Sequence, residues 1–222
     1  MDVALSVTPA VSAAPAAILG FAFGWLSARL TEWVTPPEEA PTIRGHSWLV
    51  RDPLVQGGLA LVFAVIPFSV GGDDPRRWLE GGVLAMALVQ VGVTDLRTRY
   101  VYTLVAGIGL LLGLAFGWDF HGVEWWWSPV GAIGGGLAFG LLYGVGRLLY
   151  RGGEPMARGD ITIAAMVGAG AANMALNALV YGVIASGVLA LGVLVVARSR
   201  KLYMPYGPGL CLGGLITLLL VH

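Results

Sequence analysis

Charge is scarce in this sequence. Asp, Glu, Lys and Arg make up 12% of its 222 residues, about half the roughly 25% usual for a soluble globular domain. Lysine occurs once, at Lys201, and cysteine once, at Cys211. A lone cysteine excludes an intrachain disulfide and any multi-Cys zinc site. Thirteen basic and thirteen acidic residues leave a net charge of zero, so bulk attraction to nucleic acid is not expected. The apolar fraction is 57%. A soluble fold of this length has too little interior to hide that much, because its exterior must stay polar. A disordered chain, a secreted disulfide scaffold and an ordinary cytosolic enzyme are all excluded on these grounds.

What is present instead is a series of apolar runs, with a mean hydropathy of +0.78. A spanning helix needs about 20 mainly apolar residues, and runs of that kind lie at roughly 10–31, 54–71, 79–95, 101–118, 128–149, 161–176, 177–197 and 207–221. The expected fold is all-α: a polytopic transmembrane bundle of about eight spans, with the lipid bilayer as its solvent. The sixth and seventh runs are separated only by the polar patch around Asn173 and Asn177, and a merged pair there lowers the count. No linker divides the chain, so residues 1–222 read as a single membrane domain. The first run is preceded by Asp2 and by no Lys or Arg, unlike the basic start of a secretory signal.

The basic residues set an orientation. With the N-terminus outside, eleven of the thirteen fall at inner loops or helix ends and only Arg76 and Arg77 fall outside, the bias of the positive-inside rule. The loop holding Trp118, Trp125, Trp126 and Trp127 is then outside, where an aromatic belt belongs. Glycine occurs 34 times, about twice the average usage of roughly 7%. The series Gly131, Gly135, Gly136, Gly140 and Gly144 has the spacing that lets helices approach closely in lipid. Gly134–Gly136 has no following Lys-Ser/Thr, so it reads as packing and not as a phosphate loop.

Most carboxylates fall in loops, Asp52 and Asp119 among them, where solvated charge is a sufficient reading; Glu80, at the start of the third run, reads as lying near the outer surface. Two others differ. Asp95 closes the third run and Asp160 opens the sixth, and the alternating topology places both at the inner face. Each has a plain structural reading: pairing with Arg97 or Arg158, or capping a helix N-terminus. Ionisable groups at such depth are also costly and are functional candidates. Brought together, the two form a carboxyl dyad. Like charges at close range do not both ionise easily, so the pair shares one proton. The ionised member then activates a water while the protonated one donates to a peptide carbonyl, which is the chemistry of an aspartic peptidase.

At these residues the chain resembles the type IV prepilin peptidases, membrane aspartic proteases of the GxGD class. The first family motif appears as Asp95-Leu-Arg-Thr-Arg-Tyr, the second as Ala157-Arg158-Gly159-Asp160, and the proline-aromatic-Gly-Pro segment before the last span as Met204-Pro-Tyr206-Gly207-Pro208-Gly-Leu210. Arg51-Asp-Pro-Leu-Val-Gln56 is similar to the lead into the family's second span. The resemblance covers most of residues 44–221. Ala157 stands where the family has the first Gly of Gly-x-Gly-Asp, the family's Ile-Pro-Asn pattern appears as Val101-Tyr102-Thr103, and the Lys that usually follows the second Asp is absent. Gly159 remains directly before Asp160, where a residue with no Cβ permits close approach of a substrate strand.

The resemblance implies an aspartic endopeptidase that removes the leader of prepilin-like precursors, with Asp95 and Asp160 catalytic. Gly159 and Ala157 support the motif. Arg97, Arg99, Arg158, Tyr206, Gly207 and Pro208 are candidate substrate or orienting contacts, although helix anchoring suffices for the arginines and a turn suffices for the Tyr206 segment. The partner is a precursor with a basic leader, which stays inside, and an apolar helix, which enters the bilayer. The expected location is the inner membrane, multi-pass, with the site facing the cytoplasm. Many family members carry a Cys-rich zinc domain linked to N-methylation after the first span. Here that position holds only a loop at about 32–52 without Cys, and His46 alone makes no zinc site. No metal, no cofactor and no methyltransferase activity are therefore expected. Two alternatives remain open. A catalytically inactive homologue acting in pilus or secretion assembly is consistent with Ala157 and the missing Lys. A small carboxylate-dependent transporter is disfavoured, because its carboxylates belong near mid-membrane on a path from both sides.

Overall fold

The computed structural model describes residues 9–34, 52–70, 74–98, 101, 103–149, 156–197 and 206–220. Among these there are eight α-helices, one short 3-10 turn and no strand. The helices are α1 (Pro9–Val34), α2 (Pro53–Ser69), α3 (Pro75–Thr98), α4 (Thr103–Phe120), α5 (Trp127–Leu149), α6 (Arg158–Ala171), α7 (Ala175–Ala197) and α8 (Tyr206–Leu219), with the 3-10 turn Ala172–Met174 joining α6 to α7. Four helical stretches are long and apolar enough to cross a membrane: Pro75–Leu96, Thr103–Phe120, Trp127–Leu149 and Arg158–Gly192. The apolar helices Ala13–Ser27, Pro53–Ser69 and Tyr206–Leu219 are shorter. The loop expected at 32–52 lies outside the described residues except at its two ends.

Helix starts follow local chemistry more closely than hydropathy. Asp52 precedes Pro53, and its carboxylate accepts from the Leu54 amide at 2.8 Å. Asp74 precedes Pro75 and accepts from the amides of Arg76 at 3.0 Å and Arg77 at 3.3 Å. An Asp at the N-cap with Pro in the first helical position is a favoured start, since the ring presets φ and lacks only an amide that would be orphaned anyway. For this reason α3 begins four residues before its apolar run, at Pro75. Asp52 is also corrected by the structure: it is buried at 4% exposure as a cap, not a solvated loop charge. The break expected at 176/177 falls earlier, at Ala172, whose φ of 49° is a sparsely populated conformation for a residue with a Cβ.

Glycine and alanine seams hold the bundle together. Gly20 and Gly24 of α1 lie against Leu59, Phe63 and Gln56 of α2; Gly131 and Gly135 of α5 lie against Gly168 and Ala164 of α6; Gly213 of α8 lies against Ala178 and Gly182 of α7. At each seam an added Cβ would come within 3.0 Å of a neighbour's backbone, the close approach that drives association where lipid leaves no hydrophobic difference. Gly140 and Gly144 do not share in this, because nothing lies within 4 Å of the Cβ either would carry. α3 and α6 form the interior. α6 buries Ile163, Ala164, Met166, Val167, Gly168, Ala169, Gly170 and Ala171. α5 instead exposes Ile133, Leu137, Leu141, Leu142 and Leu148, an apolar surface that water would not tolerate and a bilayer would.

Candidate active site

Asp95 lies near the C-terminal end of α3 and Asp160 in the first turn of α6; they are 4% and 2% exposed. The Asp160 side chain turns back on its own helix, where Oδ2 accepts from the Ala157 amide at 3.2 Å. This is the N3 half of a capping box; Ala157 has no side-chain oxygen to supply the other half. Ala157 itself sits at φ −74° and ψ 144°, an extended conformation open to any residue. The departure from Gly at this position therefore brings no backbone strain.

Gly207, in the first turn of α8, joins the two carboxyls. Its backbone hydrogen-bonds the Asp160 carboxylate, while its Cα abuts Asp95: an added Cβ would run into Asp95 Oδ2 and come within 2.8 Å of Ile163 Cδ1. Asp95 also acts electrostatically on Asp160. Pro208 and Cys211, on the same helix, pack against Gly92 one turn before Asp95. α8 thus wedges between α3 and α6 and carries glycine where both carboxyls press on it. The segments around the two Asp motifs touch as well. A Cβ on Gly159 would lie 2.7 Å from Val101 Cβ and 2.9 Å from its Cγ2, so Val101, six residues beyond Asp95, fills the space that the glycine leaves.

Of the other candidates, Tyr206 is half-buried, Gly207 and Pro208 are buried, and Arg158 is exposed at the start of α6. The Arg97 side chain, Arg99 and the first two residues of Met204-Pro-Tyr206 lie outside the described residues. Two contributors stood outside the candidate site residues. One is Val101, which was read only as part of the altered Ile-Pro-Asn pattern. The other is Ser186 of α7, buried at 1% exposure, whose hydroxyl lies 3.1 Å from the Tyr206 carbonyl. A lone Ser/Thr in a long apolar helix was a readable signal, because such groups bond across helices in lipid.

A second polar cluster occupies the opposite end of the bundle. Arg76 bonds Glu80 at 2.9 Å and also pairs with Asp119 at the end of α4. Glu80 is 6% exposed, so the expected surface carboxylate is an ion-paired buried one. His121 follows α4 and stacks edge-on with Phe120 at 5.2 Å. Burial pushes its imidazole down to about 4, and the Gly170 backbone offsets part of this. No group of three or more His, Cys, Asp or Glu placed to hold a metal occurs among the described residues.

The chain is similar to a prepilin leader peptidase/N-methyltransferase of Neisseria gonorrhoeae, with 28% identity over 169 residues. The alignment takes in 75% of this chain and 57% of that protein, so the chain matches little more than half the length of its relative. No protein-family model matches the chain, and no solved structure matches it.

Proposed function

We propose that this protein is a membrane aspartic endopeptidase that removes the leader of type IV prepilin-like precursors, with Asp95 and Asp160 as the acid/base pair. One observation carries the proposal: in a chain similar to a prepilin leader peptidase, Gly207 is in contact with both buried carboxyls at once. In the hydrolysis, the ionised carboxylate takes a proton from a water, whose oxygen attacks the scissile carbonyl carbon. The protonated carboxyl donates to the carbonyl oxygen. The tetrahedral intermediate then collapses, the C–N bond breaks and the amine nitrogen takes a proton. No covalent enzyme intermediate forms, and the pair titrates as a unit.

The substrate follows from chemistry at this end of the bundle. Arg29, Arg97, Arg147 and Arg158 lie near the helix ends that share the dyad's side, and Arg76 and Arg77 lie at the other. Under the positive-inside rule the dyad faces the cytoplasm. A precursor with a basic leader and an apolar helix presents its cleavage bond at that depth. A second reading has one specific observation in its favour. The bond from Asp160 to Ala157 is a structural task sufficient to account for that carboxylate in an inactive assembly homologue.

Cleavage in membranes separates the two. The protein is co-expressed with a prepilin-like precursor of its own genome, and wild type is compared with Asp95→Asn and Asp160→Asn by precursor size. Loss of cleavage in both variants at normal protein level is the expected result. A wild type that leaves precursors uncut while an authentic peptidase cuts them would overturn the proposal in favour of the assembly role.

A further inference from the structure

Ser186 is a buried polar group beside the site that the hydrolysis does not use. It sits midway along α7, a helix otherwise rich in Leu, Val, Ala and Gly. Its hydroxyl lies 2.8 Å from the Gly182 carbonyl of its own helix and 3.1 Å from the Tyr206 carbonyl across the seam. A hydroxyl has one proton, so the two carbonyls share it. The cross-helix bond is possible because Gly209 has no side chain: a Cβ there would fall on Ser186 Oγ and within 2.7 Å of Ser186 Cα.

The Tyr206 carbonyl and the Gly207 amide belong to the same peptide unit, which is planar and rigid. Holding the carbonyl on one side fixes the direction of the N–H on the other. That N–H is the group that meets Asp160. We propose that Ser186 is a positioning residue, which grips the Tyr206 carbonyl from α7 and thereby aims the Gly207 amide at the Asp160 carboxyl. As applied to catalysis this rests on the peptidase function proposed above. The held amide and the Ala157 amide together leave the Asp160 carboxyl one orientation toward Asp95. Without the grip, the first turn of α8 loses its bond to α7 and the dyad loses its alignment.

The test is Ser186→Ala against Thr217→Ala. Thr217 is equally buried and bonds the Gly213 carbonyl of its own helix at 2.9 Å, so its removal has the same intrahelical cost without touching Tyr206. In membranes, Ser186→Ala is expected to lower kcat for precursor cleavage about five- to tenfold, the worth of roughly one hydrogen bond. KM stays unchanged, and Thr217→Ala keeps the wild-type kcat. Hydrogen exchange in detergent micelles gives a readout independent of activity: protection of the Gly207 amide falls several-fold in Ser186→Ala and not in Thr217→Ala. Equal kcat in Ser186→Ala and wild type, or equal losses in the two variants, would overturn the positioning role. If wild type cuts no precursor, the peptidase function fails. The exchange comparison then decides the grip alone: unchanged Gly207 protection in Ser186→Ala refutes it, and selective loss upholds it.

Discussion

Gly207→Ala places a methyl directly against the candidate site. The glycine does not have a left-handed φ, so alanine can adopt its backbone and the whole effect is steric. The added Cβ runs into Asp95 Oδ2 and stands 2.8 Å from Ile163 Cδ1, where ordinary contact begins at 3.4 Å. Ile163 is fully buried and Asp95 nearly so, so neither moves freely. Overpacking of this kind costs about 1–3 kcal/mol, against at most about 1 kcal/mol returned by alanine's helix propensity. With the full return subtracted the net loss is about 0–2 kcal/mol, or up to roughly 8 °C in Tm for a chain of this length. The rate suffers more, because a displacement near 1 Å at a reacting group costs about 10²-fold. Gly140→Ala is the control: an interior glycine of α5 with nothing within 4 Å, expected to keep full activity and to melt no lower than wild type. Cleavage of precursor in membranes and thermal unfolding in micelles read both variants. Gly207→Ala cleaving within threefold of wild type and melting like Gly140→Ala would refute the close packing of α8 on Asp95.

Two further outcomes are expected. Gly159→Ala should destabilise by about 1–3 kcal/mol through overpacking, since its Cβ meets Val101 Cβ at 2.7 Å. The double variant with Val101→Gly should be more stable than the sum of the single effects, and additivity in denaturation would show that the two motif segments do not touch. His121 should make the fold acid-sensitive. Its folded pKa of about 4 lies below the ordinary 6.5, so the unfolded chain binds the proton first. The stability it contributes is full above 6.5 and is lost as pH falls toward 4, about 2 kcal/mol of it between pH 7.5 and 5. His121→Gln should remove that portion of the slope, and identical pH profiles for variant and wild type would refute it.

Much of this architecture was written in hydropathy, because a bilayer demands long apolar helices and little else supplies 57% apolar residues. The ends were less legible. Asp74-Pro75 is a start signal that apolar counting passes over, and Asp52-Pro53 hid a buried cap among loop charges. The break between α6 and α7 falls in Ala-Ala-Asn-Met at 171–174, a stretch with no Gly or Pro to mark it and only the polar Asn173 as a signal. The glycine series of α5 was half right: Gly131 and Gly135 face α6, whereas Gly140 and Gly144 face open space. For the site, the residue types and their order pointed to Asp95, Asp160 and the Tyr206 segment. What sequence could not express was that one peptide unit touches all of it. Gly207 is 47 residues beyond Asp160, and the packing of α8 against α3 and α6 brings them together.

Two of the helices that carry the candidate site are short. α6 and α8 have 14 residues each, about 21 Å at 1.5 Å per residue, against a hydrocarbon core of about 30 Å. α7, which runs between them, has 23 residues, about 35 Å. Both short helices begin at the two carboxyls. The start of α6 is buried at Asp160, where an unpaired amide is expensive. Asp160 meets that need through Ala157 and still has lone pairs for chemistry, since a carboxylate accepts at about four positions. Capping and catalysis are therefore not rivals at this residue. An Asn in its place keeps an acceptor for Ala157 and loses the ability to exchange a proton, so Asp160→Asn should fold like the wild type and fail to cut. A homologue that needed only the cap would not notice the change.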